Sequence, residues 1–330
     1  MIERRTLAMG LAAAKVRLLG QRVPLAARIQ VAGACPCRCV YCEQPELDHG
    51  ALSGAELLAL LEELADLGCA RVSFSGGEPM LRHDIGTLVD ACAALGMAPE
   101  MNSCGVSFAE QAASVAKLRL LKLSLDGPPE VHDELCQREG SYRDVVASVQ
   151  AAKDLGIRVV LVATITRRNV EHLDHVLERA EEWGVMAAFQ PYKPYHPGGP
   201  TPTELLPEPG AMRAAIRRLL GAQRAGAAPH IRNSAVELRR LLCWPDYPPQ
   251  RCWAGRIFCI IGVDGTLYPC DRTLIDTPLP SVRDGGLAQA LARLSDVDCE
   301  GCGFCGAQEL NLALSMDPRV LATLLRLVKR

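Results

Sequence analysis

Between residues 27 and 192, short apolar runs alternate with longer stretches in which apolar side chains recur every three to four positions. Strands are predicted over 27–33, 70–76, 98–103, 120–127, 157–166 and 185–192. Amphipathic helices are predicted over 53–68, 83–96, 107–118, 141–156 and 170–184, with no clear helix after the sixth strand. Ser53 is a suitable cap for the first helix and Gly68 a suitable stop. The stretch 128–140 reads as a loop. Strand-then-helix units of this kind build a parallel sheet covered by helices. Six units in this length fit an α/β fold of partial (β/α)6 TIM-like type better than a full eight-unit barrel, and ligands of such folds bind at the carboxyl ends of the strands.

The flanks differ in character. Residues 1–26 read as an amphipathic helix with a basic face, expected to pack on the domain edge, with a peripheral membrane contact as the alternative. The C-terminal 319–330 has the same character. Residues 191–250 are a Pro/Gly-rich linker followed by helical sequence, and 251–330 form a small cysteine-rich unit of β-hairpin plus helix, its turn supplied by Asp264-Gly265. The barrel is assigned to 27–190.

Composition narrows the class. The 330-residue chain balances 36 Lys and Arg against 38 Asp and Glu, which argues against a nucleic-acid-binding face. It has no uncharged apolar run long enough to span a membrane, and a cytoplasmic location is expected. Fifteen cysteines, an odd number, fit a disulfide framework poorly. Cys69, Cys92, Cys104 and Cys136 are scattered singly and read as small buried hydrophobes. The seven histidines show no paired-ligand spacing; His172 and His175 read as solvent-facing, and Tyr192, Tyr195 and His196 as linker or substrate-facing residues.

Four thiols crowd the loop after the first strand, Cys35-Pro-Cys-Arg-Cys-Val-Tyr-Cys42. Without Cys37 they leave C-x-x-x-C-x-x-C. Structural zinc wants four ligands, whereas three close thiolates suit an iron–sulfur cube with one iron open. With Tyr41 before the last cysteine, and Gly76, Gly77, Glu78 and Pro79 after the second strand, the chain resembles the radical S-adenosylmethionine (SAM) superfamily. The resemblance implies a 4Fe–4S cluster on Cys35, Cys39 and Cys42 whose open iron chelates SAM, with Cys37 a spectator. It implies that the Gly-Gly-Glu-Pro segment meets the cofactor's ammonium. It also implies that Asn102, Ser103, Ser124 and Asp126, at the ends of strands three and four, contact the cofactor; strand-end capping explains those four equally well. Relatives read His-Asp-x-x-Arg-Gly where this chain has His132-Asp-Glu-Leu-Cys136-Gln, so Cys136 replaces an arginine.

A second group comprises Cys252, Cys259, Cys270, Cys299, Cys302 and Cys305. Taken alone it reads as zinc. Beside the first group it resembles the SPASM and Twitch extensions, which carry auxiliary iron–sulfur clusters. One auxiliary 4Fe–4S cluster is expected on Cys252, Cys270, Cys302 and either Cys299 or Cys305, with Cys259 as substitute. The resemblance implies reductive SAM cleavage, a 5′-deoxyadenosyl radical, hydrogen-atom abstraction, and an electron donor such as flavodoxin or ferredoxin. Only 34 residues precede Cys35, too few for a peptide-recognition domain. A small-molecule or lipid biosynthetic substrate is therefore expected, the alternative being modification of a side chain in a ribosomal peptide or protein.

Overall fold

The computed structural model describes residues 14–42, 50–192, 195–196, 199–200, 203–226, 229–270, 278–296 and 302–314. Cys299, residues 1–13 of the N-terminal 1–26 segment and the basic 319–330 stretch therefore lie outside the described residues.

Six parallel strands run in chain order: β1 (Ala26–Ala32), β2 (Arg71–Gly76), β3 (Ala98–Ser103), β4 (Leu120–Ser124), β5 (Arg158–Ile165) and β6 (Met186–Pro191). The sheet curves as an open, partial barrel. Alternation along each strand sorts its side chains. In β1, Ala27, Ile29 and Val31 join the main core under the helices, and Arg28 and Gln30 take the inner face. The first helix of the barrel, α1 (Gly54–Asp66), begins at Ser53 with a reciprocal capping box: Glu56 N–H donates to Ser53 Oγ (3.3 Å), and Ser53 N–H to Glu56 Oε2 (2.8 Å). Gly68, at φ +83°, follows its end. Ser53→Ala should lower the unfolding free energy by about 1 kcal/mol, read from the urea midpoint of the apoprotein.

Two helical expectations change. Residues 107–118 form a short helix (Phe108–Gln111) and then a 3-10 turn (Ala112–Val115), which lies so close to the helix Ile85–Ala94 that a Cβ on Gly86 would stand 2.6 Å from the Ser114 carbonyl oxygen. The supposed loop at 128–140 contains a helix, Pro129–Cys136. Proline suits its first turn, and Gln137 ends it at φ +50°.

The cysteine-rich hairpin is continuous with the barrel sheet. Strand β7 (Phe258–Ile261) pairs parallel with β1, with Cys259 opposite Ala27, and β8 (Leu267–Tyr268) returns antiparallel through the Asp264-Gly265 turn. The other edge is extended at one point: Ala187 N–H donates to the His230 carbonyl, and Arg232 N–H to the Ala187 carbonyl (both 2.8 Å). The Asn233 side-chain amide then imitates the next ladder step, bonding Phe189 N–H (2.8 Å) and its carbonyl (3.0 Å).

The barrel's inner face is charged on one side. Lys122 Nζ lies 2.6 Å from Glu100 Oε2 and 3.4 Å from Ser73 Oγ, and Arg71 lies 4.0 Å from the same carboxylate. Burial opposes ionisation of Glu100, but Lys122 and Arg71 outweigh it and hold the carboxyl at about 2. A depressed carboxylate contributes its stability in full above its unfolded value of about 4.3 and loses it as pH falls toward about 2. Lys122→Met should cost about 3 kcal/mol, the low end for a broken buried pair because Arg71 remains. The double variant with Glu100→Gln should recover most of that in urea unfolding.

On the opposite edge of the fold, residues 14–19 are helical. Val16 is buried against Trp253, Ile257 and Ala307, and Arg17 donates to the Leu314 carbonyl (2.7 Å). Leu18 and Leu19 of the same turn are exposed. Among the described residues no helix is long and apolar enough to cross a membrane.

Candidate active site at the carboxyl ends of the strands

The loop after β1 is laced to its surroundings by backbone bonds. Gly77 N–H donates to the Ala32 carbonyl (2.7 Å) and Glu78 N–H to the Ala34 carbonyl (2.9 Å). Glycine is required for that approach: a Cβ on Gly76 would stand 2.2 Å from Ala32 O, and one on Gly77 1.9 Å from Ala34 O. From the other side, Arg38 N–H and Val40 N–H donate to the carbonyls of Cys136 and Leu135 (3.0 and 2.9 Å). The unpredicted helix thus uses its free C-terminal carbonyls to hold the cysteine loop.

Tyr41 is fixed by Asp126, whose Oδ2 accepts from the phenol at 2.6 Å while Oδ1 accepts from Thr164 N–H at 2.8 Å. Burial pushes both groups' pKa values up. Asp126 N–H donates to His132 Nδ1 (3.2 Å), and Asn169 bonds the carbonyls of Asp126 and Thr164 (2.8 and 2.9 Å), joining the ends of β4 and β5. Asp126, His132 and Cys136 offer ligand atoms within 4.8 Å of one another, but the Asp126–His132 contact spends one ring nitrogen on backbone and the other faces Ser141 Oγ at 3.3 Å.

Glu78 is turned into the protein. It is fully buried and accepts from Met80 N–H (3.1 Å), Ser103 Oγ (3.0 Å) and Cys104 N–H (2.8 Å), tying the ends of β2 and β3 together. Burial pushes its carboxyl up. Pro79 opens a short buried turn, Pro79–Leu81. Asn102 and Ser124 are half-buried, on adjacent strands, and their side chains make no hydrogen bond among the described residues.

Six thiols gather at this site rather than four. Cys37, Cys136, Cys35, Cys39 and Cys104 pack as one group with Val106, while Cys42 is exposed at the loop's end. Cys104 and Cys136 are thus not isolated core residues. Their convergence comes from the β3 terminus and the helix Pro129–Cys136, which no local spacing reveals. The donor set fits an iron–sulfur cluster, since thiolates are its usual ligands and five of them pack as one group.

The second group also divides. Cys252, Cys270 and Cys302 pack together with Trp253 and Phe304. Asn311 Nδ2 lies 3.6 Å from Cys252 Sγ, and Phe304 N–H 3.3 Å from Cys302 Sγ. Cys305 opens the helix Cys305–Leu314, with its Sγ 3.7 Å from Gln190 Oε1 near the carboxyl end of β6. Gly303 brings this loop against Pro191 and Tyr247. Cys259 sits elsewhere: its register with Ala27 sends it into the main core, and burial, with Cys69 nearby, pushes its thiol up. Tyr192 is buried, and His175 Nε2 contacts Tyr142 Oη at 3.1 Å instead of facing only solvent.

A profile of the Radical SAM superfamily matches residues 29–180. The chain is 28% identical over 334 residues to the PqqA peptide cyclase of Xanthomonas campestris pv. campestris, covering 89% of this chain and 86% of that one. Its fold is similar to Streptococcus suis SuiB bound to the precursor peptide SuiA (TM-score 0.67, 17% identity, 86% of this chain and 68% of that one). It is also similar to anSMEcpe with bound AdoMet and Kp18Cys peptide (TM-score 0.64, 15% identity, 91% and 99%). These findings overturn the expectation of a small-molecule or lipid substrate and partner. That expectation took the 34 residues before Cys35 as too few for a peptide-recognition domain, whereas the solved anSMEcpe chain, 99% of which is covered here, holds a peptide. Residues 29–180 are a radical SAM domain, and the protein is an enzyme working with S-adenosylmethionine and a 4Fe–4S cluster.

Proposed function

We propose that the enzyme modifies a side chain of a ribosomally made peptide by hydrogen-atom abstraction. The observation that carries this reading is likeness to a peptide cyclase over 89% of this chain and 86% of that one. Cys35, Cys39 and Cys42 would hold the cluster; bound there, it supplies the electron that splits the sulfonium C–S bond of SAM. The chain's own residues orient and shield. Tyr41, locked by Asp126, and the Gly76-Gly77-Glu78-Pro79 segment, seated on the backbone of the cysteine loop, bound the cofactor shelf, with Asn102 and Ser124 offering free polar groups beside it. Cys252, Cys270 and Cys302, with Cys305 or Cys299, would hold an auxiliary cluster near the end of β6, placed to take an electron from a product radical.

The test is to incubate the reconstituted enzyme, SAM and dithionite with synthetic peptides for the short reading frames that flank its gene, without oxygen. Liberation of 5′-deoxyadenosine together with a hydrogen-loss product of the peptide is expected. Release of 5′-deoxyadenosine with the peptide unchanged, while a non-peptide metabolite is consumed, would refute the reading.

A further inference from the structure

The barrel's inner face below the strand ends has two chemically different walls. One is apolar: Leu120, Val160 and Ala188 are buried together, with Val162 and Met186 against them. The other carries Arg71, Lys122 and Arg232 around a single carboxylate, Glu100. Three cations face one anion there. Arg232 reaches this wall because its neighbour Ile231 pairs with Ala187 and enters the core, which sends the next side chain to the inner face. Its charge acts on both Glu100 and Lys122. Among the described residues its guanidinium makes no hydrogen bond or ion pair, and Arg232 is half-buried. Lys122 has three donors, of which Glu100 and Ser73 take two.

We infer that this inner face is a receptor for a carboxylate-bearing side chain of the peptide substrate, gripped by Arg232 and the remaining donor of Lys122. The inference rests on the peptide reading above. A surplus of positive charge drawn out of water is costly unless an anion answers it, and charge-assisted bonds from Arg and Lys are the strong ones. A neutral amide would gain less, and a cationic side chain would be repelled. The apolar wall suits a methylene stem. Lys122 pairs across β3 and β4 with Asn102 and lies two residues, roughly 7 Å at about 3.3 Å per residue, before Ser124 at the end of β4, so the receptor begins directly under the cofactor shelf. One side chain of a peptide lying across the strand ends would point into it.

The probes are N-acetyl-glutamate α-methylamide and its glutamine counterpart, followed by ligand-detected NMR on anaerobic holoenzyme with SAM. The glutamate probe should bind at least about tenfold more tightly than the glutamine probe. Arg232→Gln, checked for native fold by circular dichroism, should lose that preference, and Arg232→Lys should keep part of it. Equal binding of the two probes, binding of neither, or an undiminished preference in Arg232→Gln would each overturn the inference. Failure of wild-type enzyme to release 5′-deoxyadenosine from SAM would instead count against the catalytic reading, since probe binding is scored independently of turnover.

Discussion

Replacing Cys35, Cys39 and Cys42 together with alanine should remove about four irons per chain and abolish reductive cleavage of SAM, while an auxiliary iron–sulfur signal persists. The expectation is sharper than motif reading alone allows, because Cys37, Cys104 and Cys136 remain in the variant and pack where two of the deleted thiols were. They are buried or half-buried and enclosed by Val106 and the helix Pro129–Cys136, whereas a cluster that meets SAM must face the open mouth where Cys42 lies. The remaining trio should therefore not rebuild a SAM-competent centre. Iron and sulfide analysis beside electron paramagnetic resonance decides it: full retention of iron, or any 5′-deoxyadenosine from the triple variant, would move the cluster onto other cysteines.

Much of the architecture is legible in hydrophobic period because both faces of the six strands are specified locally. Ala27, Ile29 and Val31 alternate with Arg28 and Gln30, and the strand follows. The partial barrel, the capped first helix and the Asp264-Gly265 turn all come from such short-range signals. What stays hidden is non-local. The helix Pro129–Cys136 hides behind a Pro-Pro start and a charged sequence, yet its last two carbonyls hold the cysteine loop. The hairpin's attachment to β1 depends on an edge left open by an unclosed barrel, and only that register reveals that Cys259 faces the core while Cys252 and Cys270 do not.

The site shows the same division. The triplet and the Gly-Gly-Glu-Pro segment are readable as motifs, but what Glu78 does is not. A carboxylate in a cofactor motif suggests an exposed acceptor, and here three donors at the ends of β2 and β3 claim it. Thr164 and Asn169, which complete the Asp126–Tyr41 lock, carry no motif at all. A signal was available in Thr166-x-x-Asn169 directly after a strand, a short polar pair able to bond its own backbone, with Asn169 Oδ1 accepting from Thr166 N–H at 2.7 Å.

Gly77→Ala should depress 5′-deoxyadenosine formation by about a hundredfold or more, the scale set by roughly 1 Å of misplacement in a reacting site. The added methyl carbon would stand 1.9 Å from Ala34 O, 2.5 Å from Ala34 C and 2.6 Å from Gly33 O, all backbone atoms that no rotamer change can move. Either the segment after β2 or the cysteine loop after β1 must shift, breaking the Gly77–Ala32 and Glu78–Ala34 bonds that join them. Gly68→Ala is the contrast: nothing lies within 4 Å of its Cβ position, and only its φ of +83° objects. It should cost about 1 kcal/mol of stability, like other residues forced into the left-handed region, and leave SAM cleavage within about twofold of wild type. If Gly77→Ala cleaved SAM as well as Gly68→Ala does, the close seating of the two loops would not be what aligns cofactor and cluster.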